Sequence, residues 1–235
     1  MAPREIKKIL VIKLSAMGDF ILALAAAKKI RQAHPKAQIT LLTTPPFEGL
    51  AKLCPYFNAV ETDGRPEGFG EWLTLVGRLR KARYDRVYDL QTSSRSSMIF
   101  YGLWPFAPEW SGIAAGCALP HRNPRRDQMH TLERQADQLK AAGIWPDAPT
   151  EPGSAPGPDV SWILRKIEAP RPVAGGIEAR PYVLMAPGGS AHRPEKRWPI
   201  ESYARLAREL YDVGFDIVVV GGPQESALEI GRAHV

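Results

Sequence analysis

The 235-residue chain has only two cysteines, Cys54 and Cys117, far apart and outside any Cys-x-x-Cys pattern. Neither a disulfide framework nor a thiolate zinc site is indicated, and a reducing cytosol suits both thiols. There is no Asp-x-Asp pair to hold a metal–diphosphate complex, no GxxxxGK[ST] loop and no GxGxxG fingerprint, so the common metal-bound and dinucleotide-bound phosphate sites are absent. A long apolar run is missing too. The stretch nearest to one, residues 98–119, is broken by Gly102, Pro105, Pro108, Glu109 and Gly112, which excludes a membrane span there. Charge follows the N-terminus too soon for a signal peptide, and no period of 20–50 residues marks a solenoid.

What remains is an ordinary globular composition, 44% hydrophobic and 24% charged, with a net charge of +6. That excess favours acidic partners: phosphates, nucleotides or an anionic lipid surface. Nucleic acid is not expected as a partner, because neither a recognition module nor a stacking platform accompanies the charge.

The first 145 residues alternate two periodicities. Strands are expected over 9–13, 38–43, 59–62, 86–90 and 110–113, and helices over 20–33, 46–53, 70–82, 93–103 and 129–142. Short β-rich runs separated by amphipathic runs predict a parallel, helix-covered sheet. Residues 146–180 are rich in proline and glycine and read as a linker with one short helix over 162–167. A second α/β unit, 181–235, follows: strand 182–186, a Gly-rich loop, helix 200–213 and strand 215–220. Two strands cannot bury both faces of a parallel sheet, so this unit reads as a partial domain. Its last seven residues, 229–235, back-translate into a widely used sequencing-adapter sequence. The natural frame is therefore expected to depart near Leu228, and those seven residues are given no functional weight.

Two loops are predicted to carry chemistry. The first strand stops at Ser15-Ala-Met-Gly-Asp19, which places Asp19 at the carboxyl end of a strand, where open α/β sheets keep their sites. An aspartate opening a helix is also a plain N-cap. Gly18 lets backbone approach a ligand, with Ser15 and Met17 in the same turn, and Asp19 can accept a proton from an attacking hydroxyl. The second loop, between Ala186 and Pro199, holds Gly188, Gly189 and Ser190, whose amides can form an anion nest. Lys196, with Arg193 or Arg197, would neutralise a diphosphate; the plain alternative is an exposed basic loop with Trp198 and Pro199 plugging a helix entry. Gln91 and Arg95 follow the 86–90 strand and are expected beside Asp19, with helix capping as the alternative. The basic run from His121 to Arg134, including Arg125, Arg126 and His130, can hold acidic groups of an acceptor or form a solvated loop. Most of the five aromatics Phe100, Tyr101, Trp104, Phe106 and Trp110 are expected to pack between helix and sheet, although they could instead touch lipid.

Together Ser15-Ala-Met-Gly-Asp19, Tyr84-Asp-Arg-Val-Tyr-Asp-Leu-Gln91 with Arg95, His130-Thr-Leu-Glu-Arg134, Pro187-Gly-Gly-Ser190 with Glu195-Lys-Arg-Trp-Pro199, and Gly221-Gly-Pro-Gln-Glu225 resemble, in order and spacing, family 9 glycosyltransferases, the bacterial ADP-heptose:lipopolysaccharide heptosyltransferases. The resemblance implies a GT-B architecture of two Rossmann-like domains, inversion at the anomeric carbon, and neither metal nor cofactor. It implies Asp19 as general base, Gly188, Gly189, Ser190, Lys196 and Glu225 on the nucleotide-sugar donor, and Ser15, Met17, Gly18, Gln91, Arg95, Arg126, His130 and Arg134 on a lipid-linked saccharide acceptor. A monomer is expected, peripheral at the cytoplasmic face of the inner membrane. The family pattern continues past Glu225 with further strands and an Asp-Thr-Gly type loop, so little turnover is expected of this chain alone. The alternatives are a GT-B enzyme with another nucleotide-sugar donor and a non-catalytic nucleotide- or anion-binding fragment.

Overall fold

The computed structural model describes residues 5–149, 151–166, 181–189, 195 and 197–222. Its contacts divide the chain into two units, Met1–Glu168 and Ala169–Val235.

In the first unit, β1 (Lys8–Ile12) is a run of apolar and β-branched residues buried on both faces, as a central parallel strand requires. It pairs in parallel with β2 (Gln38–Leu42) on one side and β4 (Arg86–Asp89) on the other. The sheet continues outward to β3 (Ala59–Glu61) and to β5 (Glu109–Gly112) and β6 (Leu119–Pro120), giving the order β3-β2-β1-β4-β5-β6 with every pairing parallel. The chain builds outward from β1 in one direction, then restarts beside β1 in the other. The β1/β4 boundary is thus the switch point, where the loops at the strands' carboxyl ends part and leave a crevice.

Alternation along β1 sends Ile9 and Val11 into one core and Leu10 and Ile12 into another. The first core is closed by α1 (Met17–Ala33), α2 (Glu48–Leu53) and α5 (Thr131–Ala141); the second by α3 (Phe69–Ala82) and α4 (Ser94–Leu103). Residues 151–166, read from composition as linker, lie along this unit. Trp162 of α6 (Ser161–Lys166) is buried in the first core, Asp159 pairs with Lys28 at 2.8 Å, and Lys166 Nζ donates to the Leu53 carbonyl.

The second unit pairs β7 (Tyr182–Met185) with β8 (Asp216–Val219) in parallel, with α7 (Ile200–Asp212) between them in sequence. No residue of α7 is buried, and Tyr182, Leu184 and Val219 stay about half exposed. With so little apolar area removed from water, the pair has a thin core.

The expected strands and helices fall within a few residues of the sequence reading; β6 is additional to them, and two expectations are corrected. The helix expected from residue 20 begins at Met17, because Gly18 and Asp19 already take helical geometry and Phe20 N–H bonds to the Ala16 carbonyl at 2.8 Å. The N-cap is Ala16, so Asp19 sits in the first turn and does not cap. Burial also splits the five aromatics: Phe100 and Trp110 pack edge to face in the second core, while Tyr101, Trp104 and Phe106 are exposed.

Candidate active site

The loop after β1 is held in place by its neighbours. Gln91, beyond β4, turns its side-chain carbonyl back to accept from the amides of Leu14 (2.9 Å) and Ser15 (3.2 Å). This brings Gln91 to the Asp19 loop as expected, as a brace for the backbone. On the other flank Gly64 bonds to the Thr43 carbonyl, and a Cβ there would come within 2.4 Å of Leu14 Cδ2. Only glycine allows that approach. Arg65, next in the chain, donates to the Ser15 hydroxyl.

Asp19 is half-buried. Thr131, the first residue of α5, donates its hydroxyl to Asp19 Oδ1 at 3.3 Å, and Arg134 reaches the same hydroxyl at 3.4 Å. The other carboxylate oxygen of Asp19 has no protein hydrogen bond among the described residues. Helix α5 thus carries Thr131 and Arg134 to the carboxylate. Glycine at position 18 leaves open space where a Cβ would stand. Gly18→Ala is expected to leave the melting temperature unchanged or slightly raised, since alanine favours a helix by up to about 1 kcal/mol over glycine. Weakened acceptor binding in that variant, measured by titration, would show that a ligand uses the open space; unchanged binding would show that it does not.

Beneath the loop lies a pair that the sequence did not single out. Lys13, just past β1, is only 4% exposed. Burial lowers its pKa, the neighbouring charges of Asp19 and Asp89 oppose that shift, and Arg134 adds to it. Asp89 ends β4 with no exposed surface; its Oδ1 accepts from the amides of Gln91 (3.1 Å) and Thr92 (2.9 Å), while Oδ2 accepts no hydrogen bond among the described residues, although the Ser96 hydroxyl lies near the carboxyl group. Burial pushes its pKa up to about 6. The signal available in the sequence was position: a lysine and an aspartate, each closing a buried strand on either side of the switch point.

The remaining residues expected on the acceptor side occupy distinct places. Arg126, in a single helical turn over Arg126–Gln128, donates to Thr92 Oγ1 at 2.9 Å and so joins the β4 loop. His130 is the N-cap of α5, its Nδ1 3.1 Å from Glu133 Oε2 and 3.4 Å from Leu132 N. Part of the basic run is not a solvated loop: His121 is buried, 2.8 Å from Asp137, which Asn123 also contacts at 2.7 Å. Arg95 is exposed in the first turn of α4 and lines an open groove of about 510 Å³ with Phe69, Trp72 and Met98. Met17 is exposed at the start of α1.

In the second unit, Gly188 and Gly189 follow β7, and Arg197 folds back to donate to the Gly189 carbonyl at 2.6 Å. Trp198 packs edge to face on Tyr203, 5.0 Å between ring centres, at the entry of α7. Ser190, Arg193, Lys196 and Glu225 lie outside the described residues.

A parallel α/β sheet with a carboxylate at its switch point is followed in the chain by a second α/β unit with a glycine-rich loop, the two-unit Rossmann-like plan. Residues 72–234 match the sequence profile of glycosyltransferase family 9 (heptosyltransferase), and the chain belongs to that family. It is 27% identical over 93% of its length to lipopolysaccharide heptosyltransferase 2 of Escherichia coli K12, and 25% identical over 94% to lipooligosaccharide heptosyltransferase 2 of Haemophilus ducreyi. The solved structure of the E. coli ADP-heptose LPS heptosyltransferase II superposes with a TM-score of 0.69, at 25% identity, over 94% of this chain and 66% of that one. The E. coli heptosyltransferase WaaC with ADP-2-deoxy-2-fluoro heptose shares the fold, with a TM-score of 0.63 at 19% identity, over 94% of this chain and 71% of that one. The chain spans 64% of the length of the E. coli K12 relative and 65% of the H. ducreyi one.

Proposed function

We propose that this sequence belongs to an inverting, metal-independent enzyme that moves heptose from ADP-heptose to the lipopolysaccharide inner core, with Asp19 as general base. The observation that carries the reading is Asp19 at the β1/β4 switch point, one oxygen held by Thr131 and the other without a hydrogen bond among the described residues. As the acceptor oxygen bonds to the anomeric carbon, its proton passes to Asp19 and the bond from that carbon to the diphosphate breaks, releasing ADP. The hydroxyl becomes acidic only as the new bond forms, so an ordinary carboxylate suffices. The amides of Gly188, Gly189 and Ser190 and the ammonium of Lys196 stabilise the departing diphosphate without a metal, and Glu225 reaches the donor ribose. Ser15, Met17, Gly18, Gln91, Arg95, Arg126, His130 and Arg134 form or brace the acceptor side, where guanidinium groups suit anionic core sugars. The enzyme works as a monomer at the cytoplasmic face of the inner membrane.

The test is to supply ADP-heptose and a lipid A-Kdo acceptor to the gene's full-length product, following ADP release and the glycosylated product by mass spectrometry. Transfer from ADP-heptose, and not from UDP- or GDP-sugars, is the expected result. Transfer from another donor would reassign the substrate. Nucleotide binding without transfer would reduce the protein to a binding module.

A further inference from the structure

Between the start of α3 and the first turns of α4 runs the groove of about 510 Å³, and its aromatic wall has no part in the chemistry proposed so far. Its volume lies within the range of small-molecule sites, about 300–1,000 Å³. Phe69 and Trp72 stack there, with ring centres 6.1 Å apart and 15° between their planes, and Met98 lines the same groove. Phe69 is 75% exposed, so its ring is open to a ligand.

The groove and the Asp19 loop share a wall. Gly64 bonds to the Thr43 carbonyl and closes on Leu14, and Arg65 donates to the Ser15 hydroxyl. The same segment, from Gly64 to Gly68, then borders the groove. Its far end is fixed by the Glu67 amide on the Glu71 carboxylate (2.8 Å) and by the Trp72 amide on the Gly68 carbonyl (3.0 Å). A wall held at both ends stands ready before a ligand arrives, which lowers the ordering cost of binding.

The polar groups choose the ligand. Glu67, Ser94 and Arg95 line the groove, and none of these side chains has a hydrogen bond or ion pair among the described residues. An acyl chain would strip water from a carboxylate, a hydroxyl and a guanidinium and give nothing back. The phosphates of a nucleotide would suit Arg95 but repel Glu67. A sugar ring satisfies all of them. Its C–H face can lie on the negative face of an aromatic ring, and its hydroxyls can donate to Glu67, accept from Arg95 and do either with Ser94.

We propose that this groove is a saccharide subsite, which seats a pyranose ring of the acceptor on Phe69 and Trp72 with Glu67, Ser94 and Arg95 on its hydroxyls. The identity of that saccharide rests on the heptose-transfer reading; its chemical class rests on the groove alone.

Isothermal titration calorimetry of the chain with the deacylated lipid A-Kdo saccharide tests it, comparing wild type, Phe69→Ala and Phe69→Tyr. Phe69 belongs to neither core, so circular dichroism should be unchanged in both variants. Affinity should fall about five- to tenfold in Phe69→Ala, the worth of about 50 Å² of ring face left in water, and return in Phe69→Tyr, which keeps the ring. A wild-type chain that gives no binding heat at millimolar saccharide overturns the proposal, as does a Phe69→Ala chain that binds as tightly as wild type. So does octanoate binding that Phe69→Ala weakens while saccharide binding holds, which would assign the groove to an acyl chain. In the full-length product, Phe69→Ala should raise the acceptor KM by the same factor and change kcat by less than about twofold. Normal transfer with an unmoved acceptor KM would strike the subsite and leave the heptose-transfer reading intact. No transfer, with saccharide binding that still separates the variants, would strike that reading and leave the subsite.

Discussion

Asp19→Asn is expected to lower heptose transfer by the full-length protein about 10²–10⁴-fold, the usual worth of a general base, or about 3–5 kcal/mol of barrier. The substitution keeps size and shape, and the amide oxygen can still accept the Thr131 hydroxyl that now meets Asp19 Oδ1 at 3.3 Å. What it removes is the lone pair that takes the proton. The loss should therefore fall on kcat, with ADP-heptose affinity nearly unchanged, because the donor loop lies elsewhere in the chain. Melting temperature should scarcely move, since Asp19 caps no helix and is only half-buried. Near-normal turnover in the variant would remove Asp19 from the base role while leaving family membership intact. A kcat loss accompanied by a large fall in stability would instead point to a structural role for the Thr131 contact.

Position at strand ends made Asp19 legible before any coordinates. The apolar run of β1 followed by a Gly-Asp turn can be read directly, because a buried parallel strand leaves a continuous hydrophobic signal and its loop a polar one. Gln91 was found by the same logic, but its role was not. A glutamine after a strand can face a ligand or its own neighbours, and only tertiary packing shows that its carbonyl braces Leu14 and Ser15. β6 was missed because two residues, Leu119 and Pro120, carry no periodicity. The helix start was misplaced by three residues since Met17, Gly18 and Asp19 look like a turn locally, and their helical state is set by packing of Phe20, Ala23 and Leu24 against the sheet. Most of the five aromatics were expected to pack, and composition alone does not say that Trp104 and Phe106, just past α4, are among those that stay exposed. Lys13 and Asp89 escaped notice because a charged residue at the edge of an apolar run reads as the strand's end, whereas the structure buries both.

That buried pair has a measurable consequence for stability. In the folded protein Asp89 holds its proton up to about pH 6, against an ordinary carboxyl value of 3.8. Its folded pKa is raised, so the folded state binds the proton more tightly than the unfolded chain between those values. Stability from this group is therefore greatest at about pH 4 and below, falls as pH rises through about 6, and is level above that. A shift of about two pH units corresponds to a cost of about 3 kcal/mol for the ionised form at neutral pH. Asp89→Asn should remove it. The amide oxygen can keep the bonds from Gln91 and Thr92, while the amide nitrogen that replaces Oδ2 removes the charge but brings two buried N–H donors, which offset part of the gain. In urea titrations of the two proteins, the variant is expected to match the wild type at about pH 4 and to exceed it at pH 7 by about 1–3 kcal/mol, the lower figure allowing for weaker, uncharged hydrogen bonds. Other carboxylates titrate alike in both proteins and cancel in the difference. A variant that becomes progressively less stable than the wild type between pH 4 and pH 7 would mean that attraction to Lys13 outweighs burial. The expected gain would in turn show that ionised Asp89 is kept at a cost to the first unit's stability, with the buried Lys13 as its charged neighbour at the floor of the candidate site.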